Sequence, residues 1–268
     1  MKEMPQKQYV TMLGTGNALA TKCYNTCFVI HTEGKATLMV DAGGGNGILS
    51  QLEKAKISIE CIDDLFVTHA HTDHLLGCVW MMRMALQFNR TLRIWSHRKV
   101  LRILTSLGHE ILPAKEAEGI GNIVEFHCLE SGEHFQIGNL QLVCFDIHST
   151  KEKQFGFNAL FPDGQRLCCL GDEPYCEQNA VYAEGADWLM SEAFCLYADR
   201  NRFHPYEKHH STVLDAARVA EKLHVRNLIL YHTEDKTLDT RREHYTTEAK
   251  SVFKGNIVVP DDLEQILI

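Results

Sequence analysis

The sequence predicts an α/β protein folded as one domain, residues 1–268, and three observations carry that reading. Short apolar runs of strand length alternate with longer runs of helical period along the whole chain. No low-complexity linker or block of like charge divides its 268 residues, a length that suits one large domain. Polar, metal-capable residues also recur where apolar strands end, at Asp41, His69, His148, Asp172, Glu192 and His232. Two strand-rich halves, each with helices, suggest a duplicated architecture, although no sequence repeat is visible.

Residues 9–13 read as the first strand, and Gly14-Thr15-Gly16-Asn17 as a tight turn in which glycine permits positive φ. No nucleotide-binding pattern follows it. Residues 25–32 and 35–40 form a hairpin around Glu33-Gly34, and 47–54 a short helix. Asp41, at the end of a buried strand, needs a partner, because an unpaired buried carboxylate is costly. A strand at 65–68 leads into a helix over about 73–88 with Asp73 as its cap, where Met81, Met82 and Met84 fill the core. Residues 91–95 alternate as a strand and 98–109 as an amphipathic helix; His97 and His109 lack ligand-like spacing and are surface or packing residues. Strands are expected at 123–129, 133–137, 140–146, 155–161 and 166–170, the last two joined by Pro162-Asp163-Gly164. Cys168 and Cys169 would face opposite sides of their strand as core thiols. A strand at 188–191, a charged loop at 197–209, a helix at 211–223 capped by Ser211, and strands at 226–230, 257–259 and 263–268 complete the chain.

The composition is that of an ordinary globular protein, 45 % hydrophobic and 23 % charged. A net charge of −8 argues against nonspecific nucleic-acid binding, which rewards clustered Lys and Arg. Residues 1–9 carry no apolar signal core, and no apolar run approaches a membrane span. The ten cysteines are scattered, with no Cys-x-x-Cys pair, which points to reduced thiols and a cytoplasmic protein.

The stretch Thr68-His69-Ala70-His71-Thr72-Asp73-His74 places three imidazoles and a carboxylate within six positions, directly after a strand. Imidazole suits zinc, iron and other first-row metals, and the carboxylate adds a harder, charge-neutralising ligand. His69 and His71 fall on one side of the backbone, and Asp73 and His74 follow as the chain turns. Two pairs facing different directions suit two adjacent metals better than one.

This His-x-His-x-Asp-His pattern resembles the signature of the metallo-β-lactamase superfamily. The resemblance implies a four-layer αβ/βα sandwich of mixed sheets with the metal site at one edge. It further implies one metal held by His69, His71 and His148, a second by Asp73, His74 and His232, and Asp172 bridging the two. Asp41 would support the metal loop from behind. Zinc is the default ion, with manganese or iron as alternatives. Two such metals acidify water and stabilise charge on a phosphoryl oxygen, and Asp73 can take a proton from that water.

Leu13-Gly14-Thr15-Gly16, Ser191-Glu192-Ala193 and His210-Ser211-Thr212 narrow the resemblance to the tRNA 3′-processing endonuclease (RNase Z) branch. There a Glu/His pair stands beside the metals, so Glu192 would orient His210 as the acid that protonates the leaving group. Long-armed members insert a tRNA-gripping arm where this chain has only residues 149–171. The expected activity is therefore phosphodiester hydrolysis on small or cyclic phosphodiesters, nucleotides or RNA ends, without extended tRNA binding. A thioester or lactone hydrolase shares the ligand set but leaves Glu192 and His210 unused. A non-enzymatic metal-binding scaffold is the third class, and the full ligand set speaks against it. The sequence names no membrane partner and leaves a homodimer open.

Overall fold

Residues 8–268, described by a computed structural model, form two sheets of seven strands each. The expectation for the extreme N-terminus falls mostly on residues 1–7, which lie outside the described residues. In the first half the strands are β1 (Tyr9–Gly14), β2 (Cys27–Thr32), β3 (Lys35–Val40), β4 (Asp64–Phe66), β5 (Leu92–Ser96) and β6 (Val124–Cys128). In the second they are β7 (His134–Ile137), β8 (Leu140–Asp146), β9 (Phe155–Leu160), β10 (Arg166–Cys169), β11 (Trp188–Glu192), β12 (Asn227–Tyr231) and β13 (Asn256–Val258). The last strand, β14 (Gln265–Leu267), crosses back and pairs antiparallel with β1.

The first sheet runs β14-β1-β2-β3-β4-β5-β6 and the second β13-β12-β11-β10-β9-β8-β7. Each begins as an antiparallel meander, through β3 in one and β10 in the other. Each then continues in parallel strands, β4 to β6 and β11 to β13. Parallel strands need crossovers, which place helices on the outer faces. These are α1 (Gly47–Lys54), α2 (Thr72–Phe88), α3 (Arg98–Ile111) and α4 (Ala114–Ala117) in the first half. The second half has α5 (Ala180–Ala183), α6 (Arg200–Phe203), α7 (Val213–Lys222) and α8 (Leu238–Lys250). The result is the four-layer αβ/βα sandwich.

Strand alternation divides the apolar residues among three clusters. Between the sheets, Met12, Phe28 and Phe66 meet Phe157, Leu167 and Met190, with Phe66 set edge-on to Phe157 at 5.4 Å. Outside the first sheet, Val29, Met39 and Leu65 pack under Leu75, Val79 and Met82 of α2. Outside the second, Leu189 and Leu228 pack under Ala216 and Ala220 of α7 and Tyr245 of α8. Cys168 joins the outer cluster and Cys169 the inner one, so the two thiols face opposite sides as expected.

Several local expectations are corrected. Gly14 and Gly16 are not at positive φ; a Cβ on Gly14 would lie 2.1 Å from the Asn25 carbonyl, so glycine serves close approach there. The first residue of α2 is Thr72 and its cap position is His71, which leaves Asp73 inside the first turn. Helix α7 is capped by Thr212, whose hydroxyl accepts from the Asp215 N–H while Asp215 accepts from the Thr212 N–H, a reciprocal box. The loop 197–209 contains three short helical turns, and α8 had no counterpart in the sequence reading.

Candidate metal centre

The rim of the two sheets gathers the ends of β3, β4, β10, β11 and β12. Asp41, one residue past β3, adopts a left-handed backbone, φ 54°, a conformation costly for a residue other than glycine. Its carboxylate accepts from the Thr68 N–H at 2.8 Å and the Thr68 hydroxyl at 2.7 Å, and pairs with His74 Nδ1 at 2.7 Å. This settles the partner that the buried Asp41 needs, and it fixes the loop that follows β4.

His69, His74 and His232 are each held from behind, so the other nitrogen of each faces a common point. His69 Nδ1 lies 2.9 Å from Thr68 Oγ1, and His232 Nδ1 lies 3.2 Å from Thr26 Oγ1. The Nε2 atoms of His74, His69 and His232 stand 3.5, 3.6 and 3.6 Å from one oxygen, Oδ2 of Asp172. Asp73 Oδ2 is 3.3 Å from His74 Nε2, and His71 Nδ1 is 2.8 Å from His69 Nε2. Among the described residues two groups have ligand atoms mutually within 4.8 Å: His69, His74 and Asp172, and Asp73, His74 and His232. Half-buried His71 touches the first group without belonging to it.

His148 is not brought in. It follows β8 with φ 61°, is exposed, and belongs to neither group.

The donor set fits divalent cations. His74 Nε2 and Asp172 Oδ1 are buried without a hydrogen-bond partner, a cost that a bound cation would remove. Burial pushes the His69 and His232 imidazoles down, His232 to about 3, so both are neutral and able to donate a lone pair. Burial disfavours charge on Asp172, yet His69, His74 and His232 together hold its carboxyl well below the usual range. The parallel β11 and β12 bring Glu192 beside this set. The Glu192 side chain is fully buried; it accepts from the Ser211 N–H at 2.6 Å and stands 3.5 Å from His210 Nδ1. Burial lowers the His210 pKa, but the Glu192 carboxylate outweighs it and the net shift is upward. The His210 ring stacks on Phe194 at 5.1 Å and lies 5.2 Å from the His232 ring.

Sequence reasoning missed four contributors. Thr26 and Thr68 orient ligands, and Phe194 packs on His210. Glu173, next to Asp172, is 6 % exposed and accepts from Ser149 Oγ and Gln154 Nε2. For Thr68, Glu173 and Phe194 the available signal was adjacency to residues already singled out; Thr26 offered none.

The fold is that of the metallo-β-lactamase superfamily, and the relatives mark the chain as a metal-dependent hydrolase, RNase Z-like in character. The chain belongs to the family described as anti-Pycsar protein Apyc1, whose model matches residues 8–256. Ribonuclease Z of Gemmatimonas aurantiaca is 27 % identical, covering 95 % of this chain and 94 % of its own. Ribonuclease Z of Exiguobacterium sibiricum is 26 % identical, covering 93 % and 96 %. Among solved structures, the metallo-β-lactamase fold protein YhfI from Bacillus subtilis aligns with a TM-score of 0.78 at 18 % identity, covering 98 % and 100 %. Human tRNase Z, short form, aligns at 0.72 with 22 % identity, covering 96 % and 98 %.

Proposed function

We propose that this chain hydrolyses small or cyclic phosphodiesters, using two divalent cations, by default zinc, and the Glu192–His210 pair. The observation that carries the reading is the position of His210, ring to ring with His232 and backed by the buried Glu192. A thioester or lactone hydrolase has no work for that pair.

Asp73, His74 and His232 would hold one cation, His69 and His71 the other, and Asp172 would bridge. His148, exposed after β8, is the remaining member of the set with His69 and His71. Cations in such a set acidify water and neutralise phosphoryl charge. Asp73 takes the proton of the attacking water. The departing alkoxide needs a proton of its own, and His210 would supply it from Nε2, since Nδ1 is the nitrogen that faces Glu192 at 3.5 Å. An open diester gives an alcohol and a phosphate monoester, and a cyclic one opens to a single phosphate monoester that carries the freed hydroxyl. A short 149–171 connection and a charge of −8 support a small substrate over an extended tRNA. Ten free thiols suit a reducing, cytoplasmic setting.

The test sets a panel of dinucleotides and cyclic nucleotides against precursor tRNA, with elemental analysis of the wild type, Asp172→Ala and His148→Ala. Turnover of the small diesters, poor tRNA cleavage and two metals per chain are expected. Asp172→Ala should disturb both metals and His148→Ala one. Efficient, site-specific tRNA 3′ cleavage would overturn the small-substrate reading. A single metal at saturation would overturn the dinuclear one.

A further inference from the structure

The connection between β8 and β9 crosses the site. Ser149 reaches the Glu173 carboxylate at 2.7 Å, on the Asp172 side. Thr150 Oγ1 lies 3.0 Å from His209 Nδ1, on the His210 side. Between these anchors the Lys151 ammonium spans the gap, 3.4 Å from Glu173 Oε1 and donating to the Lys208 carbonyl at 3.1 Å. Glu173 is the residue after the shared ligand, and Lys208 stands two before the proton donor. A lysine is thus held over the line joining the two halves of the chemistry, by groups adjoining each.

We infer that Lys151 is a substrate-binding residue, whose ammonium contacts a nonbridging phosphoryl oxygen of the bound diester. An ammonium carries three N–H donors. Among the described residues, one of the three donates to the Lys208 carbonyl, the Glu173 carboxylate is an ion-pair partner at 3.4 Å, and the side chain is 26 % exposed. A donor is therefore available to a ligand. The Lys151 charge is near enough to oppose protonation of His210, which places it within electrostatic reach of the leaving-group side. Glu173, itself held by Gln154 at 3.2 Å, fixes where the ammonium sits and acts as a positioning residue. A diester monoanion has two nonbridging oxygens; the cations would neutralise charge on one, and Lys151 serves the other. The inference rests on the phosphodiesterase reading for its substrate, and it adds a discriminator: a neutral ester gains nothing from Lys151.

The test uses metal-loaded wild type, Lys151→Ala, Lys151→Gln and Lys151→Arg, with metal content and melting temperature recorded for each. Calorimetric titration with inorganic phosphate reads binding without turnover. Charge-assisted hydrogen bonds to phosphate are of the stronger kind. Lys151→Ala and Lys151→Gln should therefore weaken phosphate binding by roughly tenfold to a hundredfold, and Lys151→Arg should recover most of it. With bis(4-nitrophenyl) phosphate the loss should appear in KM more than in kcat, and should exceed the loss on neutral 4-nitrophenyl acetate at least about tenfold. Glutamine keeps an N–H donor on that side chain while removing the charge. If Lys151→Gln binds phosphate like the wild type, the lysine only braces the connection and the inference fails. Wild type that does not bind phosphate overturns it as well. A wild type that binds phosphate through Lys151 yet cleaves no diester would sink the activity reading and leave this one standing.

Discussion

His210 is where the proposed chemistry is most exposed to a single substitution. Acid catalysis contributes roughly 10²–10⁴-fold, so His210→Ala should slow cleavage of an alkoxide-leaving diester on that scale with metal content intact. Nitrophenolate leaves without a proton, and turnover of a nitrophenyl diester should fall far less. Equal losses on both substrates would make His210 a shape or phosphate contact, and a fall in metal content would make it a ligand. Residue types and order were legible here: His69, His71, Asp73, His74, Asp172 and His232 were all named from the sequence and converge at one rim. The hydroxyls behind them were not legible. Thr26 is far from His232 in sequence, and nothing local to it announces an imidazole partner.

Among the elements, α2 has the tightest constraint, because it carries Asp73 and His74 and must lie directly on the turn after β3. Gly77 permits this. Its N–H donates to the Gly43 carbonyl at 2.8 Å, and a Cβ there would stand 1.8 Å from the Ala42 carbonyl oxygen. Alanine is intrinsically better than glycine in a helix by about 1 kcal/mol. Here the clash with backbone should win: Gly77→Ala should lower stability by about 1–3 kcal/mol and shift metal affinity, read by urea denaturation and metal titration. An unchanged midpoint would show that the helix can slide without cost. The same scale explains the helix that sequence reading missed. The face that α8 buries holds Arg241, Tyr245 and Ala249, and the arginine does not read as core. Its two terminal nitrogens donate to Thr15, Thr233, the Pro260 carbonyl and Asp261, all distant in sequence except Thr233. Periodicity cannot register a buried charge whose partners lie elsewhere. Ser211 was named as the α7 cap for a related reason, since three successive residues there can each cap a helix or bind phosphate. The capping box falls to Thr212, while Ser211 turns its N–H and hydroxyl to Glu192.

Over the whole molecule the two halves repeat one plan, an antiparallel meander followed by parallel strands, and each turns the ends of its parallel strands to the same rim. Asp41 and the β4 loop correspond in place to Asp172 and Glu192. The duplicated architecture was visible as two strand-rich halves. The mirrored strand order was not, because it depends on pairings such as β14 with β1 that join the two ends of the chain. The described residues include no helix long and apolar enough to cross a membrane. The candidate metal ligands are thus shared between halves that otherwise meet through an apolar interface.

That division has a consequence in time. His69, His71, Asp73 and His74 are made early in the chain, Asp172 and His232 late, and β1 acquires its outer neighbour from residues 265–267. The proposed cation pocket would therefore come into being only after both sheets have docked, and the prediction is that capture of metal follows the folding barrier rather than helping to cross it. A contact absent from the transition state slows unfolding and leaves refolding alone. Stopped-flow denaturant jumps with and without zinc should give one shared refolding limb and an unfolding limb displaced downward by the metal. A metal-dependent refolding rate would mean that the early histidines recruit the ion before the second half has arrived.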